Sequence, residues 1–553
     1  MKTSPPARSR PRGAIAWIVA GTALVACSQP AHPPSGASTA PEASASSAEP
    51  PRSRTDYLVF VQRSFEAHLA PLVALREGEG HGVQVERLED VYAKAPSSEP
   101  RIALRDELRR VAKEQPNLRF VLLAGDPQSE GTPLPAFTHT LEPWAAEFAG
   151  QTYVSDDDYA TAGVAPLAVG RLPARSSAEL SAMVSKIVAY ASGPIGPWQR
   201  RVGVFAGPVG LREFDSMVED YASDVLNGNV PYAFDLRVMF ASPSSPYAFA
   251  FDRFRDEMIA SLGRGSLMSV YAGHASETEL SGVAWRGKRW PIGRTEDFAR
   301  IDAGTSNPIL VVLTCESGAY DMKRGRSIAE SAILAPHGPI AVYAASAVSS
   351  AMVNFGWAES LIDAFLVKRS KTVGDGIVDA RTALPTGGSA LGLLSTLALD
   401  DLDAQDGPDA RREHLAIYNL FGDPGTIPRY PGELPIRAPS SASAGSTVTV
   451  TLDAPDGAAE LELTLETARK ELKPGAVPAS DLEALPLDEA FAAMSKGNAS
   501  ANDKVLARVP IGGSTRPLSA TVQVPSRPGA YWIKVSGTLG GDEVSAATAL
   551  RVE

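Results

Sequence analysis

The sequence predicts an α/β protein, parallel sheets covered by helices, followed by a β-sandwich. Two observations point there. From Asp56 to about Pro431, short apolar runs alternate with amphipathic stretches, the rhythm of strands joined by helices and covered on both faces. Beyond Pro431, Ser, Thr, Gly and Pro become dense and short alternating runs take over, as in half-buried antiparallel strands.

The elements follow in order. Lys2, Arg8, Arg10 and Arg12 precede an apolar stretch from Ala14 to Ala26, the layout of a secretory signal and too short to span a bilayer. Its end, Leu24-Val25-Ala26-Cys27, resembles a bacterial lipobox, so residues 1–27 read as a lipoprotein signal with Cys27 lipidated. An ordinary cleaved signal with Cys27 incidental is the alternative. Ser28, rather than an aspartate, follows the cysteine and suits export to the outer membrane of the cell envelope. Residues 28–54 are almost all Ser, Ala, Pro and Glu, which bury too little apolar surface to offset ordering; they read as a disordered tether.

A smaller N-terminal α/β unit spans 55–195. It reads as strand Tyr57–Val61, helix Phe65–Glu77, strand Val83–Arg87, helix Leu104–Lys113 and strand Phe120–Ala124 ending at Gly125-Asp126. An irregular acidic connection leads to strand Leu167–Gly170 and helix Ala178–Ala191. A larger unit, 196–431, repeats the rhythm with strand Val202–Ala206, helix Phe214–Leu226, strand Leu236–Phe240 and helix Phe251–Leu262. Strands Leu267–Ala272 and Ile309–Thr314, helix Ile328–Leu334 and strand Ile340–Ala345 follow, and Trp357–Leu420 has helical periodicity. Residues 436–553 read as an immunoglobulin-like β-sandwich.

Charge narrows the function. There are 52 Lys and Arg against 64 Asp and Glu, a formal charge of −12, and the cations are scattered rather than striped. Nucleic acid is therefore not an expected partner. The seven histidines are isolated from one another, so no Cys/His metal cluster is expected. Ser155-Asp156-Asp157-Asp158-Tyr159 is a candidate structural calcium cluster, with a solvated loop as the other reading. No cofactor is required.

The chemistry centres on Cys315, one of two cysteines in the chain. It ends the apolar run Ile309–Leu313 through Thr314, while Gly273-His274 ends the run Leu267–Ala272. Functional groups in open α/β sheets gather beyond the carboxyl ends of strands. If these strands are neighbours, imidazole and thiol emerge at one edge, where the histidine can activate the thiol and later protonate a leaving amine. Each residue alone reads as well as a packed cysteine or a bonded strand-end histidine; the joint arrangement favours catalysis.

At this point the chain resembles the gingipain family of cysteine peptidases, in the caspase-like clan. The resemblance runs over most of residues 56–430. Tyr57-Leu58-Val59, Val121-Leu122-Leu123-Ala124-Gly125-Asp126, Val169-Gly170-Arg171-Leu172-Pro173 and Lys186-Ile187-Val188-Ala189-Tyr190 fall in family order. So do Gly273-His274 with Ser276-Glu277-Thr278, then Thr314-Cys315 and the closing Tyr418-Asn419-Leu420-Phe421-Gly422-Asp423-Pro424. The resemblance implies a caspase-like fold, His274 as general base and acid, and Cys315 as the nucleophile that forms an acyl-enzyme. It implies an oxyanion site from backbone N–H groups among Gly273, Ala275 and Cys315. It also places Asp215 near the base of a specificity pocket, where a carboxylate favours a basic P1 residue; a solvated helix charge is the alternative.

Three positions depart from the family. Ala275 replaces a second glycine after the histidine, Ala206-Gly207-Pro208 stands where some relatives orient the histidine with an acid, and Ser349-Ser350-Ala351 stands near a tryptophan lid. The expected function is a membrane-tethered cysteine endopeptidase acting on proteins or peptides, held at the membrane through the lipid. The alternatives are an inactive gingipain-like lipoprotein that binds peptides or proteins, and a purely structural surface protein.

Overall fold

Apolar runs with no polar alternation are suited to strands covered on both faces, and Tyr57–Val61 (β1) shows how. Tyr57, Val59 and Val61 pack into one hydrophobic cluster, while the intervening Leu58 and Phe60 pack into another on the opposite face. Phe120–Ala124 (β3) repeats the pattern, with Phe120, Leu122 and Ala124 on one side and Val121 and Leu123 on the other. The computed structural model describes residues 55–553 except 142–147, 149, 164, 209–225, 227, 385–407, 454–458, 472–478 and 514–516. The expectations for Cys27, the 28–54 tether, Asp215 and most of helix Phe214–Leu226 lie outside the described residues.

Among the described residues ten strands form one sheet. Besides β1 and β3 they are Val83–Arg87 (β2), Ala168–Leu172 (β4), Arg201–Ala206 (β5), Asp235–Phe240 (β6), Met268–Ala272 (β7), Ile309–Leu313 (β8), Ala341–Ala345 (β9) and Tyr418–Gly422 (β10). Their order is β2-β1-β3-β4-β10-β9-β8-β7-β5-β6. The sequence suggested two leaning units; the structure instead joins them through β10, within a stretch read as helical. β10 pairs parallel with β4 (Phe421 opposite Arg171) and antiparallel with β9 (Tyr343 opposite Leu420). The two halves of the sheet therefore run in opposite directions. The carboxyl ends of β7, β8 and β9 share one edge of the sheet with the start of β10.

Helices cover the sheet. Ser177–Ser192 is capped by the Ser176 side chain, which accepts the Glu179 N–H at 3.3 Å, and it buries Leu180, Met183, Val184 and Ile187. Ala351–Ile362 starts directly after Ser349-Ser350, and Pro408–Ile417 runs straight into β10. The edge strand β6 is closed by an amide: Asn502 Oδ1 accepts the Val238 N–H at 2.8 Å and Asn502 Nδ2 donates to the Val238 carbonyl at 2.9 Å. Unpaired edges invite further strands, and this contact occupies one.

Asn502 ends helix Leu487–Asn502, which the sequence reading did not anticipate inside the C-terminal module. That helix leaves the β-module and packs on the α/β body, Phe491 lying 5.1 Å from Trp290 and 6.0 Å from Phe251 between ring centroids. Among the described residues the rest of the module is a short helix, Ala479–Ala484, and two sheets. Thr447–Leu452 pairs with Leu518–Gln523, and Ala459–Thr467 pairs with Val505–Gly513 and Gly529–Leu539, the last also pairing with Asp542–Val552. Val448, Val450 and Leu452 share a core with Leu461, Leu463, Ile533 and Val535. Ion pairs Arg200–Glu543 and Lys534–Asp235, with Tyr232 stacked on Trp532 at 3.7 Å, bind the module to the body.

Candidate active site

β7 and β8 are adjacent and parallel, in register from Met268 opposite Ile309 to Ala272 opposite Leu313. Gly273-His274 and Thr314-Cys315 therefore leave the sheet side by side at one edge. The Gly273 N–H donates to the Leu313 carbonyl at 3.2 Å and ties the two exits together.

That bond corrects one expectation. The Gly273 N–H is used within the sheet and is not open to an oxyanion. Glycine is needed here for conformation: φ is +152°, and a Cβ would lie 3.1 Å from the Gly207 Cα and 3.2 Å from its nitrogen. Gly207 in turn donates to the Ala272 carbonyl at 2.8 Å, so the end of β5 presses directly on the turn that carries His274. The stretch Ala206-Gly207-Pro208 thus contributes close backbone packing. The Ala275 N–H meets no acceptor among the described residues, and the Cys315 N–H none beyond its own sulfur. Ala275 is held in a bridge to Leu280, with the Ser281 N–H donating to the His274 carbonyl at 2.9 Å.

The sulfur is held by Ser349. The Ser349 N–H donates to Cys315 Sγ at 3.4 Å, and the thiol faces the Ser349 carbonyl at 3.7 Å. Burial pushes the Cys315 thiol above its usual range, against the Ser349 N–H, and the neighbouring Glu316 adds to the rise. The resting group is accordingly a thiol, bonded to Ser349. Glu316 sits at φ +55° directly after the cysteine, its own carboxyl raised by burial and by Glu277. His274 stands exposed at the rim.

Behind Ser349 lies a chain of buried groups that the sequence reading missed. Asn354 Nδ2 donates to Ser349 Oγ at 2.9 Å, and the Tyr418 hydroxyl donates to Asn354 Oδ1 at 2.7 Å. The Ser350 N–H donates to His414 Nε2 at 2.7 Å, and His414 Nδ1 meets the Ala410 carbonyl at 2.6 Å. The carbonyl fixes the proton on Nδ1 and leaves Nε2 as acceptor. His414 is fully buried, and burial lowers its pKa to about 4. The sequence analysis gave His414 no role. Its only sequence signal was a histidine on the apolar side of a helix feeding the Tyr418 motif.

Beside His274 opens a cleft of about 130 Å³. Val204, Val270 and Leu313 come from three adjacent strands, with Ala272 and Gly273 leading to the imidazole, and Phe355 and Ile362 come from the helix above. The three aspartates lie elsewhere and diverge. Asp156 takes Arg171 at 2.6 and 2.8 Å, Asp157 pairs with Arg381, and Asp158 meets His139 Nε2 at 2.7 Å. The three carboxylates do not converge as a ligand set, since each turns to a different side chain. Among the described residues no group of three or more His, Cys, Asp or Glu side chains is arranged to hold a metal ion.

Comparison with known proteins sets this architecture among the cysteine peptidases. The model of peptidase family C25 matches residues 50–428. The chain belongs to that family, the gingipain family. No curated protein sequence matches it. Among solved structures it is similar to the Arg-specific cysteine proteinase gingipain R (RgpB), at 16% identity over 91% of this chain and 99% of that one, TM-score 0.50. It is also similar to the complex of the Porphyromonas gingivalis RgpB pro- and mature domains, at 17% identity over 90% and 100% of the chains, TM-score 0.50. At that identity the likeness establishes the fold. Among the described residues no helix is long and apolar enough to cross a membrane.

Proposed function

We propose that the chain is a cysteine endopeptidase that hydrolyses peptide bonds through Cys315 and His274. The observation that carries the reading is the side-by-side exit of Gly273-His274 and Thr314-Cys315 from adjacent parallel strands. His274 takes the thiol proton as Sγ attacks the scissile carbonyl. The developing oxyanion is received by the N–H groups of Cys315 and Ala275. Collapse expels the amine, which His274 protonates, and leaves a thioester on Cys315. A water deprotonated by His274 then releases the acid and restores the thiol. The Ser349 hydrogen bonds hold the sulfur in place until the substrate arrives.

A peptidyl acyloxymethyl ketone is expected to label Cys315, and Cys315→Ala to abolish turnover. Equal cleavage by that variant refutes the assignment. One observation favours a second reading, a binding protein on an inactive peptidase fold: burial raises the thiol, which is bonded to Ser349. Native protein that binds peptides without thiol-dependent hydrolysis establishes it.

Cys27 carries the lipid that holds the enzyme at the outer membrane of the cell envelope, and the C-terminal pair of sheets is an immunoglobulin-like module. Radiolabelled palmitate retained by the wild type and lost in Cys27→Ser tests the first. The expected basic P1 preference is not carried forward, because Asp215 lies outside the described residues and the described walls of the cleft are apolar.

A further inference from the structure

We propose that the apolar cleft beside His274 receives the side chain on the acyl side of the scissile bond. We propose further that it selects a large uncharged residue, leucine, methionine or phenylalanine, over arginine or lysine. The inference rests on the peptidase reading above and names its substrate class.

Two stretches of the lining are joined in sequence to the catalytic groups. Leu313 stands two residues before Cys315, and Ala272 two residues before His274. The roof is helix Ala351–Ile362, which begins directly after the Ser349-Ser350 segment that holds the sulfur. A peptide whose carbonyl is presented to Sγ beside the imidazole has this cleft as its neighbour. The lining is hydrocarbon: Val204, Val270 and Leu313 from the sheet, Phe240 from the adjoining strand, Phe355 and Ile362 from the helix.

Ser242 and Asn354 at its margin are engaged with groups outside the cleft. Ser242 Oγ lies 2.9 Å from Ser244 Oγ, and Asn354 uses its amide on Ser349 and its carbonyl on Tyr418. Among the described lining residues none is acidic. A guanidinium or ammonium placed here loses its water and finds no counter-charge on those walls, whereas an alkyl or phenyl group exchanges water for apolar contact. The volume, about 130 Å³, is close to that of the apolar protein cavity of about 150 Å³ that takes up benzene. The cleft therefore matches one large apolar side chain.

The experiment uses the full-length protein and fluorogenic peptides identical except at P1, which is Leu, Met, Phe, Ala, Arg or Lys. Cleavage after Leu, Met or Phe is expected to exceed cleavage after Ala, Arg or Lys by roughly 10- to 200-fold in kcat/KM. Ala358→Phe, which fills the cleft from the roof, is expected to reverse the order of Phe and Ala at P1. Preference for Arg or Lys in the wild type, lost in Asp215→Ala, overturns the proposal. If no peptide is cleaved, the peptidase reading fails while the pocket is still tested by peptide binding to Cys315→Ala. Tighter binding of the P1-Phe than the P1-Arg peptide, weakened by Ala358→Phe, then supports the apolar pocket, and equal binding overturns it. If Ala358→Phe does not fold, the wild-type P1 profile and the binding comparison alone decide.

Discussion

His414→Phe separates the support of the sulfur from the catalytic groups themselves. The phenyl ring is somewhat larger than the imidazole it replaces, and the buried Ser350 N–H loses the Nε2 acceptor that it meets at 2.7 Å. An unsatisfied buried donor costs about 1–3 kcal/mol, so at pH 7.5 the variant should be less stable by that order. The gap should change with pH. The wild-type imidazole has a pKa of about 4 in the fold, against 6.5 for a free one. Between those values the unfolded chain binds a proton that the folded protein refuses. The stability is therefore complete above about pH 6.5 and is lost progressively as pH falls toward 4. From pH 7.5 to 4.5 the wild type loses about 2.5 kcal/mol through this one group, and the phenylalanine variant loses none of it. Urea unfolding of both proteins at the two pH values measures the difference, with every other titrating group common to both. Parallel losses in the two proteins would refute the reasoning. Alkylation of Cys315 at pH 7.5 gives a second readout, and the rate should change in the variant because Ser350 adjoins the residue that holds Sγ.

Three further outcomes follow from the same geometry. Alkylation of Cys315 in the free enzyme should be slower at neutral pH than that of an unperturbed thiol and should still be climbing near pH 9, because burial raises the thiol; a plateau below pH 7 contradicts this. Gly273→Ala puts a Cβ 3.1 Å from the Gly207 Cα at φ +152°, and should cost about 1–3 kcal/mol and most of the peptidase activity, whereas Gly78→Ala, with nothing within 4 Å, should leave both near wild type. Arg171→Met removes five hydrogen bonds and leaves the Asp156 carboxylate buried without its cation; urea unfolding should report a loss of about 3–5 kcal/mol, partly recovered by Arg171→Met with Asp156→Asn.

Much of the body was legible because its strands are buried on both faces. Tyr57–Val61 and Phe120–Ala124 have no polar alternation, and each residue has a packed face to fill. β10 was not legible. Tyr418-Asn419-Leu420-Phe421-Gly422 follows helix Pro408–Ile417 without a break, and its strand conformation comes from pairing with β9 and β4. Helix Leu487–Asn502 was missed because Gly497, Asn498 and Ser500 are weak helix formers; it is held by Phe491 and by Asn498 and Asn502 on β6. The aspartate run looked like one cluster, but its three carboxylates turn to Arg171, Arg381 and His139 on separate elements.

From the residues alone, one could learn that a histidine and a cysteine each end a buried apolar run, since strand burial and exit are local properties of composition. Which edge they share, and with whom, depended on long-range pairing. Only the assembled sheet put β7 against β8, turned the two halves in opposite directions through β10, and brought Ser349, Asn354, Tyr418 and His414 behind the sulfur. Those groups come from distant segments and become neighbours only when the apolar faces between them close. The apolar cleft has the same origin, because its floor and roof are separate elements whose hydrocarbon surfaces meet beside His274.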